Sequence, residues 1–411
     1  MRTVGIVVEY NPLHNGHLYH IQQSRKITES DAVVAVMSGH FLQRGEPALA
    51  DKWARAEMAL RAGCDLVLEL PVAYSSQPAQ WFAYGAVAVL HATGVVDALC
   101  FGSESGDADT LVRIADRLAD EPEAVRRELA RLLKDGLPYP TAYAEAVRRF
   151  LRSIGAEADA GFRLDQPNHT LGLHYLLALR RLGSSIAPYS IRRERSEYGQ
   201  TSITDAAIAS ATALRRLLAE SGHLADLAPY VPASTLDILQ REARAGRSPI
   251  VWESYAGPLF HQLLRLGPDE LSDFAEVSEG LEFRLRRSVA QLSGFRVEAL
   301  LEALKTKRYT RTKLQRMLVR ILLGHRKSDL SAERLASGIE YIRVLGFTDR
   351  GRELLRRMKG AASVPVVQSA LGGDWPYLAM DARASAVYSL AFRDPSARLA
   401  MRDYTLPPIR V

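Results

Sequence analysis

The chain has 411 residues, 47% of them hydrophobic and 24% charged, with a net charge of +6. That is the make-up of an ordinary globular protein, and its length exceeds what one core of roughly 100 to 200 residues serves, so two domains are expected. No apolar run approaches a bilayer span, and the first residues lack a basic segment with an apolar stretch and a small-residue cleavage site, so a cytoplasmic protein without membrane contact is expected. The cysteines, Cys64 and Cys100, lie in or beside expected buried strands, which argues against a disulfide framework or a cysteine-built metal site.

The chain opens with an apolar run at 4–8, breaks at Asn11-Pro12, and passes through His14-Asn15-Gly16-His17 into a helical pattern. A strand, tight turn and helix start in this order gather unpaired backbone N–H groups and the positive end of a helix dipole, a place suited to a phosphate. The alternation then repeats. Strand 3–9 precedes helix 17–26, strand 32–37 precedes helix 52–62, strand 65–70 precedes helix 81–92, and strand 97–102 ends at Gly-Ser-Glu. Near-continuous apolar strands alternating with helices predict a parallel sheet covered on both faces, with ligands beyond the carboxyl ends of the strands. The segments 10–17, 38–46, 71–77 and 102–105 are therefore candidates for a site.

Residues 107–153 read as helical and resemble an insertion. A helix is expected at 168–182, a fifth strand at 185–192, a charged loop at 193–200, and another helix at 208–218 entered through 201–205. Beyond about residue 224 the β-rich runs stop and amphipathic helical patterns take over at 279–292, 297–304 and 312–323, with a weak α/β signal from 364 onward. The expected division is 1–224, an α/β nucleotide-binding catalytic domain, and 225–411, a mostly α-helical domain. Charge is uneven as well. Residues 281–330 hold thirteen Lys and Arg against four Asp and Glu, a local +9 that leaves −3 for the rest, as expected for a region meeting a polyanion.

In His14-x-Gly16-His17 the glycine permits close approach of a nucleotide to the backbone, and two imidazoles can donate to phosphate oxygens as charge builds there. Helix capping is the plain alternative. A zinc site lacks a third ligand, and metal ligands stay unassigned. Placed after the first strand, this pattern resembles the nucleotidyltransferase superfamily, with its Rossmann-like sheet and HxGH at the first strand-to-helix turn. The segment 208–215 resembles that superfamily's second signature, where Ser210 and Thr212 would contact β- and γ-phosphates and Arg215 would neutralise the departing pyrophosphate. Alanines stand at positions where many relatives carry hydroxyls.

A narrower resemblance rests on EYNPLHNGH, MSGHFLQRGEPALADKWARAEMAL, DLVLELPVAYSSQPAQWFAYGAV, GVVDALCFGSES and KTKRYTRTKLQRMLVRILLG. Together they resemble the bacterial tRNA(Met) cytidine acetate ligase family, most densely over 1–105 and 305–324. The resemblance implies activation of acetate by ATP with Mg²⁺ to acetyl-adenylate, then acetyl transfer to N4 of the wobble cytidine of elongator tRNA(Met). It implies that Val7, Val8, Glu9, Tyr10, Asn11, Pro12, Leu13, His14, Asn15, Gly16, His17, Leu18, Tyr19 and His20 wrap the ATP, with His14 and His17 catalytic. Gly102 would let the nucleoside lie against the backbone, and Asn168 and Arg193 would contact ATP, with Arg192 an immediate competitor of Arg193.

Gln43 and Arg44, in 38–46, are polar candidates for closing over acetate or the incoming base, unless that segment is a surface loop bonded only to itself. His40 stands where the family carries asparagine. Lys305, Lys307, Arg308, Arg311, Lys313 and Arg316 are the expected tRNA contacts, with Tyr309 interleaved as a stacking platform. Leu314, Met317, Leu318 and Ile321 keep the core face of the same helix. No reactive cysteine or Ser-His-Asp set is apparent, so no covalent acyl-enzyme is expected, nor is an obligate protein partner. Two other readings stay open: a nucleotidyltransferase acting on a small phosphorylated metabolite, and a non-catalytic RNA-binding protein on a nucleotide-binding scaffold.

Overall fold

A computed structural model describes residues 1–192 and 209–411. Five parallel strands, β1 (Thr3–Val8), β2 (Ala32–Ser38), β3 (Leu66–Leu70), β4 (Ala98–Ser103) and β5 (Ala187–Arg192), form most of one sheet. The order is β5-β4-β1-β2-β3, so the chain reverses direction across the sheet between β1 and β4. Their side chains alternate between two cores. Val34, Val36, Leu68, Leu99 and Phe101 face one, and Val33, Ala35, Met37, Ala98 and Cys100 face the other, all buried. Each Val, Leu, Phe or Met among them taken out of water contributes roughly 1.5–3 kcal/mol.

Helices Ala79–Ala92 and Pro167–Arg181 cover the first face, and Lys52–Arg61 and Ala211–Ser221 contribute to the second. At Gly172 a Cβ would come within 2.6 Å of Phe101 Cε2, so glycine lets the helix Pro167–Arg181 lie close against β4 and brings its first turn to the strand end. The expected insertion is three helices, Ala108–Leu118, Glu123–Lys134 and Tyr139–Ser153, between β4 and β5. Cys64 and Cys100 are free and buried, and burial pushes both thiols up to about 12.

The expectation that strands cease beyond residue 224 is not met. β6 (Ile342–Phe347) joins the sheet antiparallel to β3, and β7 (Val366–Val367) and β8 (Ile409–Arg410) run parallel to β6. Arg343 and Gly346 interrupt the apolar run of β6 and mask it in the sequence. In the fold Arg343 is buried against Asp403 (3.3 Å), which also accepts from Lys52 Nζ (2.9 Å), itself 2.8 Å from Glu69. The residues 402–403 are thereby tied to β3 and to the helix Lys52–Arg61. A cluster so deeply buried is tolerated because each charge meets an opposite one.

Candidate functional site

The ladder between β1 and β4 comprises Val4–Ala98 and Gly5–Leu99, whereas β1 stays paired with β2 as far as Val8–Met37 and β4 with β5 as far as Ser103–Arg192. Beyond Gly5 the two central strands part. A cavity of about 290 Å³ opens there, at the topological switch point where α/β sheets hold ligands. It is lined from one side by Val7, Val8, Glu9, Tyr10, Asn11, His14, Gly16, His17, Tyr19 and His20, and from the other by Gly102, Asn168 and Arg192. Ser210, Ala211, Thr212 and Arg215 close a third side, and Leu42, Gln43, Arg44 and Glu46 a fourth.

Segments separated by up to two hundred residues in sequence are thus brought to one place. Pro12, Leu13, Asn15 and Leu18 do not line the cavity: Leu13 is fully buried in the core, and Asn15 Nδ2 donates to the Pro229 carbonyl (3.1 Å). Arg193 and Ile208 lie outside the described residues, as do the charged loop and the entry segment expected at 193–205, whereas Arg192 lines the cavity.

The helix after β1 is Asn15–Ile27, with His14 at its N-cap. Its first N–H groups are not open to an anion, contrary to the expectation from sequence. Asn15 N donates to Tyr230 O (2.9 Å), Gly16 N to His14 Nδ1 (3.1 Å) and His17 N to His14 O (2.8 Å). His17 Nδ1 in turn accepts from His14 N (3.3 Å), and the two rings stack at 3.7 Å between centroids. Capping and phosphate chemistry, posed as alternatives by the sequence, are therefore compatible. With both Nδ1 atoms accepting backbone N–H, the proton of each neutral imidazole resides on Nε2, and both rings can donate from that atom.

Backbone donors come instead from the helix Ala211–Ser221, which begins three residues later than expected. Ser210 caps it, its Oγ accepting from Ala213 N (3.1 Å), while the N–H groups of Ala211 and Thr212 have no acceptor among the described residues. Arg215 donates to the Asn11 carbonyl (2.9 Å) and to Glu46 (2.9 Å), so it also holds the first turn and the 38–46 segment together.

That segment is neither a free lid nor a loop bonded only to itself. Gln43 N donates to Glu9 (2.7 Å), Gln43 Nε2 to Gln77 O (2.9 Å), Leu49 N to Asn11 Oδ1 (2.7 Å), and Trp252 Nε1 to Gly45 O (3.0 Å). Burial raises the pKa of Glu9, and the Gln43 N–H opposes the shift. Gly45 has φ +75°, and a Cβ on it would lie 2.3 Å from Arg316 N, so the segment packs directly on the helix Arg311–Leu323. His40 is buried, its Nδ1 3.1 Å from Ser385 Oγ, and burial, with Lys52, Arg55 and Arg402 nearby, holds its pKa well below the usual histidine range. Arg55, unremarked in the sequence, donates to the carbonyls of Glu9 (2.7 Å), Ser38 (3.0 Å), Gly39 and Ala50 (3.0 Å), fixing the ends of β1 and β2 relative to this segment.

The basic region is less free than its composition suggests. Arg308 pairs with Glu279 (2.7 Å), Arg311 with Glu298 (2.6 Å) and Glu302 (3.4 Å), and Lys305 approaches Glu302 (3.9 Å). Arg316 is turned inward against Glu276 (2.5 Å). Tyr309 corrects the stacking expectation: it is only 9% exposed, its hydroxyl donates to the Glu279 carbonyl (3.1 Å), and Lys313 Nζ lies 5.3 Å from its ring centroid. Lys307, Arg287 and Arg296 are exposed and have no carboxylate partner among the described residues. Phe283 and Phe295, 59% and 58% exposed in the same region, are the aromatic rings it presents to solvent.

Among the described residues no group of three or more His, Cys, Asp or Glu is placed to hold a metal, and no helix is long and apolar enough to cross a membrane. Among the described residues, Glu9 and Glu46 are the carboxylates that line the cavity. Two carboxylates suit a Mg²⁺ ion that arrives bound to nucleotide phosphates.

A family model described as HIGH Nucleotidyl Transferase matches residues 1–403. A tRNA(Met) cytidine acetate ligase of Acetivibrio thermocellus is 40% identical, the match covering 98% of this chain and 99% of the relative. Another, of Bacillus licheniformis, is 40% identical over 100% of this chain and 97% of its own. The crystal structure of apo Thermotoga maritima TmcAL (form I) superposes with a TM-score of 0.91 at 36% identity, with full coverage of both chains. The form bound with alpha-thio ATP gives 0.89 at 36% identity, covering 100% of this chain and 99% of that one.

Proposed function

As the chain belongs to the tRNA(Met) cytidine acetate ligase family of HIGH nucleotidyltransferases, we propose that it activates acetate with ATP and transfers the acetyl group to N4 of the wobble cytidine of elongator tRNA(Met). The observation that carries this reading is the cavity at the parting of β1 and β4. There His14 and His17 line the same cavity as the helix start at Ala211 and Thr212, a set of hydrogen-bond donors that can receive the phosphate chain of a nucleoside triphosphate. The alpha-thio ATP complex of the Thermotoga maritima relative supports ATP as the nucleotide.

An acetate oxygen attacks the α-phosphorus in line, the α–β bridging bond breaks, and pyrophosphate leaves with acetyl-adenylate remaining. Nε2–H donors of His14 and His17 stabilise charge on the α-phosphoryl oxygens, a role worth about 10²–10³ in rate per donor where such groups are removed. The N–H groups of Ala211 and Thr212, with the hydroxyls of Ser210 and Thr212, receive the leaving phosphates beside Arg215. Mg²⁺ delivered with ATP would lie near Glu9 and Glu46 and neutralise phosphate charge. In the second step the cytidine amine attacks the acetyl carbonyl, loses a proton, and AMP departs. An N4 amine inside a stack is inaccessible, so the base must be splayed out to reach the cavity.

The RNA enters from the 281–316 region, which abuts the cavity wall through Gly45 and the helix Arg311–Leu323. Lys307 is its clearest phosphate contact, and Phe283 and Phe295 are its available stacking faces; of the other cations in 305–313, Arg308 and Arg311 exchange a glutamate partner for RNA phosphate. The test is incubation of the full chain with ATP, labelled acetate and tRNA(Met) transcript, scoring label in RNA and acetyl-adenylate formed without RNA. Label in neither pool sinks the ligase reading. Nucleotidyl transfer to a small phosphorylated metabolite without RNA would favour the alternative chemistry.

A further inference from the structure

Three helix starts contribute residues to the cavity, and besides the Asn15 helix, whose first N–H groups are already bonded, a second is neutralised by a carboxylate. At the helix Pro167–Arg181 the Glu104 carboxylate, from the segment just after β4, accepts from Asn168 N (3.0 Å) and His169 N (2.9 Å). It takes the place an anion would occupy at that dipole. Phosphates are therefore directed to the helix start at Ala211 and to the imidazoles of His14 and His17, leaving the nucleoside end of ATP for the corner formed by Gly102 and Asn168.

Glu104 does a second thing there. Its Oε1 also receives the side-chain Nδ2 of Asn168 (2.9 Å). An ionised carboxylate only accepts, so the amide atom facing it is the nitrogen, and the amide cannot turn over without setting oxygen against oxygen. Asn168 is 6% exposed and lines the cavity, and its Oδ1 receives no hydrogen bond from any described residue. His169 does not compete for Glu104 through its ring, since Nε2 accepts from Ser105 N (3.0 Å) and Nδ1 meets the Arg163 carbonyl (2.8 Å).

We propose that Glu104 is a positioning residue that locks the buried Asn168 amide so that its oxygen, an acceptor, meets the nucleoside of bound ATP, and that this makes the cavity select a hydrogen-bond donor at that point. The donor is an exocyclic amine of the base or a ribose hydroxyl. The inference rests on the ATP reading of the cavity. A fixed acceptor rejects a carbonyl or a missing donor, because a buried oxygen is then left unpaired or faces another acceptor.

The test is calorimetric binding by the full chain of ATP, GTP, purine riboside triphosphate, 2′-deoxy-ATP and 3′-deoxy-ATP, with the wild-type sequence and Glu104→Gln. For the wild type, loss of the donor that Asn168 meets weakens binding by about tenfold or more. A penalty shared by GTP and purine riboside triphosphate assigns the base amine, and a penalty on one deoxy form assigns that hydroxyl. In Glu104→Gln only the carboxamide oxygen still accepts, so one of the two backbone N–H bonds is lost, and the NH2 group permits both orientations of the Asn168 amide. The expected result is that the ratio between ATP and the penalised analogue falls to within about twofold in a protein that circular dichroism shows to be folded, with a lowered melting temperature that reports the lost backbone bond. Uniform weakening of all five nucleotides with wild-type ratios overturns the proposal and leaves Glu104 as a helix cap. If the wild type binds all five equally, the selection claim fails while the ATP reading stands; if it binds none, the ATP reading itself fails. Should Glu104→Gln not fold, the wild-type analogue series still decides whether a donor is selected.

Discussion

Replacing His14 by asparagine separates the two jobs this residue holds. Its Nδ1 caps the helix Asn15–Ile27 by accepting from Gly16 N, and its ring stacks on His17 at 3.7 Å. An asparagine Oδ1 reaches the Nδ1 position and is among the best N-caps, so His14→Asn keeps the cap and loses the ring contact, about 0.5–1.5 kcal/mol. His14→Ala loses the cap as well, a further 0.5–2 kcal/mol or so. Both variants remove the Nε2–H donor, and both should slow acetyl-adenylate formation by about 10²–10³, equivalent to roughly 2.7–4 kcal/mol of transition-state stabilisation. Acetate-dependent ATP–pyrophosphate exchange without RNA reads the rate, and urea denaturation reads the stability. A His14→Asn protein with the wild-type exchange rate would show that the imidazole serves only the helix. Equal destabilisation by the two substitutions would show that the cap geometry has been misassigned.

Gly45→Ala forces a Cβ into the left-handed region and to within 2.3 Å of Arg316 N; the backbone term of about 1–2 kcal/mol and an overpacking term of about 1–3 kcal/mol predict a loss of roughly 2–5 kcal/mol in denaturation, and a loss below about 1 kcal/mol contradicts the packing described. His174 is buried and its pKa is lowered by burial to about 4. The unfolded chain therefore takes up a proton first as pH falls below about 6.5, so stability declines from there to about pH 4, by roughly 3 kcal/mol for this residue. His174→Gln should flatten part of that decline in urea titrations at successive pH values, and an unchanged profile excludes His174 as a source. Lys307→Ala should leave adenylate formation intact and reduce the slope of log affinity for tRNA against log salt by about 0.7–0.9, more than Arg308→Ala does, because Arg308 gives up Glu279 to bind. Phe283→Ala should weaken tRNA binding by about 1–3 kcal/mol if a base stacks on it, whereas Tyr309→Phe should not.

Much of the first half was legible because its signals are local. The apolar runs at β1 to β5 and the HxGH turn each lie within one short segment, and the fold places them as the patterns imply. The missed features depend on partners distant in sequence. The N–H of Asn15 is satisfied by Tyr230, the charge of Arg308 by Glu279, and the amide of Asn168 by Glu104. β6 escaped notice because Arg343 reads as a strand-breaking surface charge until Asp403 is seen beside it.

The sequence by itself determined the alternating strand-and-helix plan, the strand–turn–helix that carries His14 and His17, the absence of a cysteine framework and, through its resemblance, the expected substrates. These follow from periodicity, backbone conformational preference and residue chemistry, which act over a few neighbouring residues. Only the tertiary structure decided which donors still face the cavity, which cations are already paired, and that Tyr309 is packed while Phe283 and Phe295 stand in solvent. A hydrogen bond or ion pair is set by distance and direction between atoms, and those are determined only when the sheet, its switch point and the returning C-terminal strands bring remote segments together.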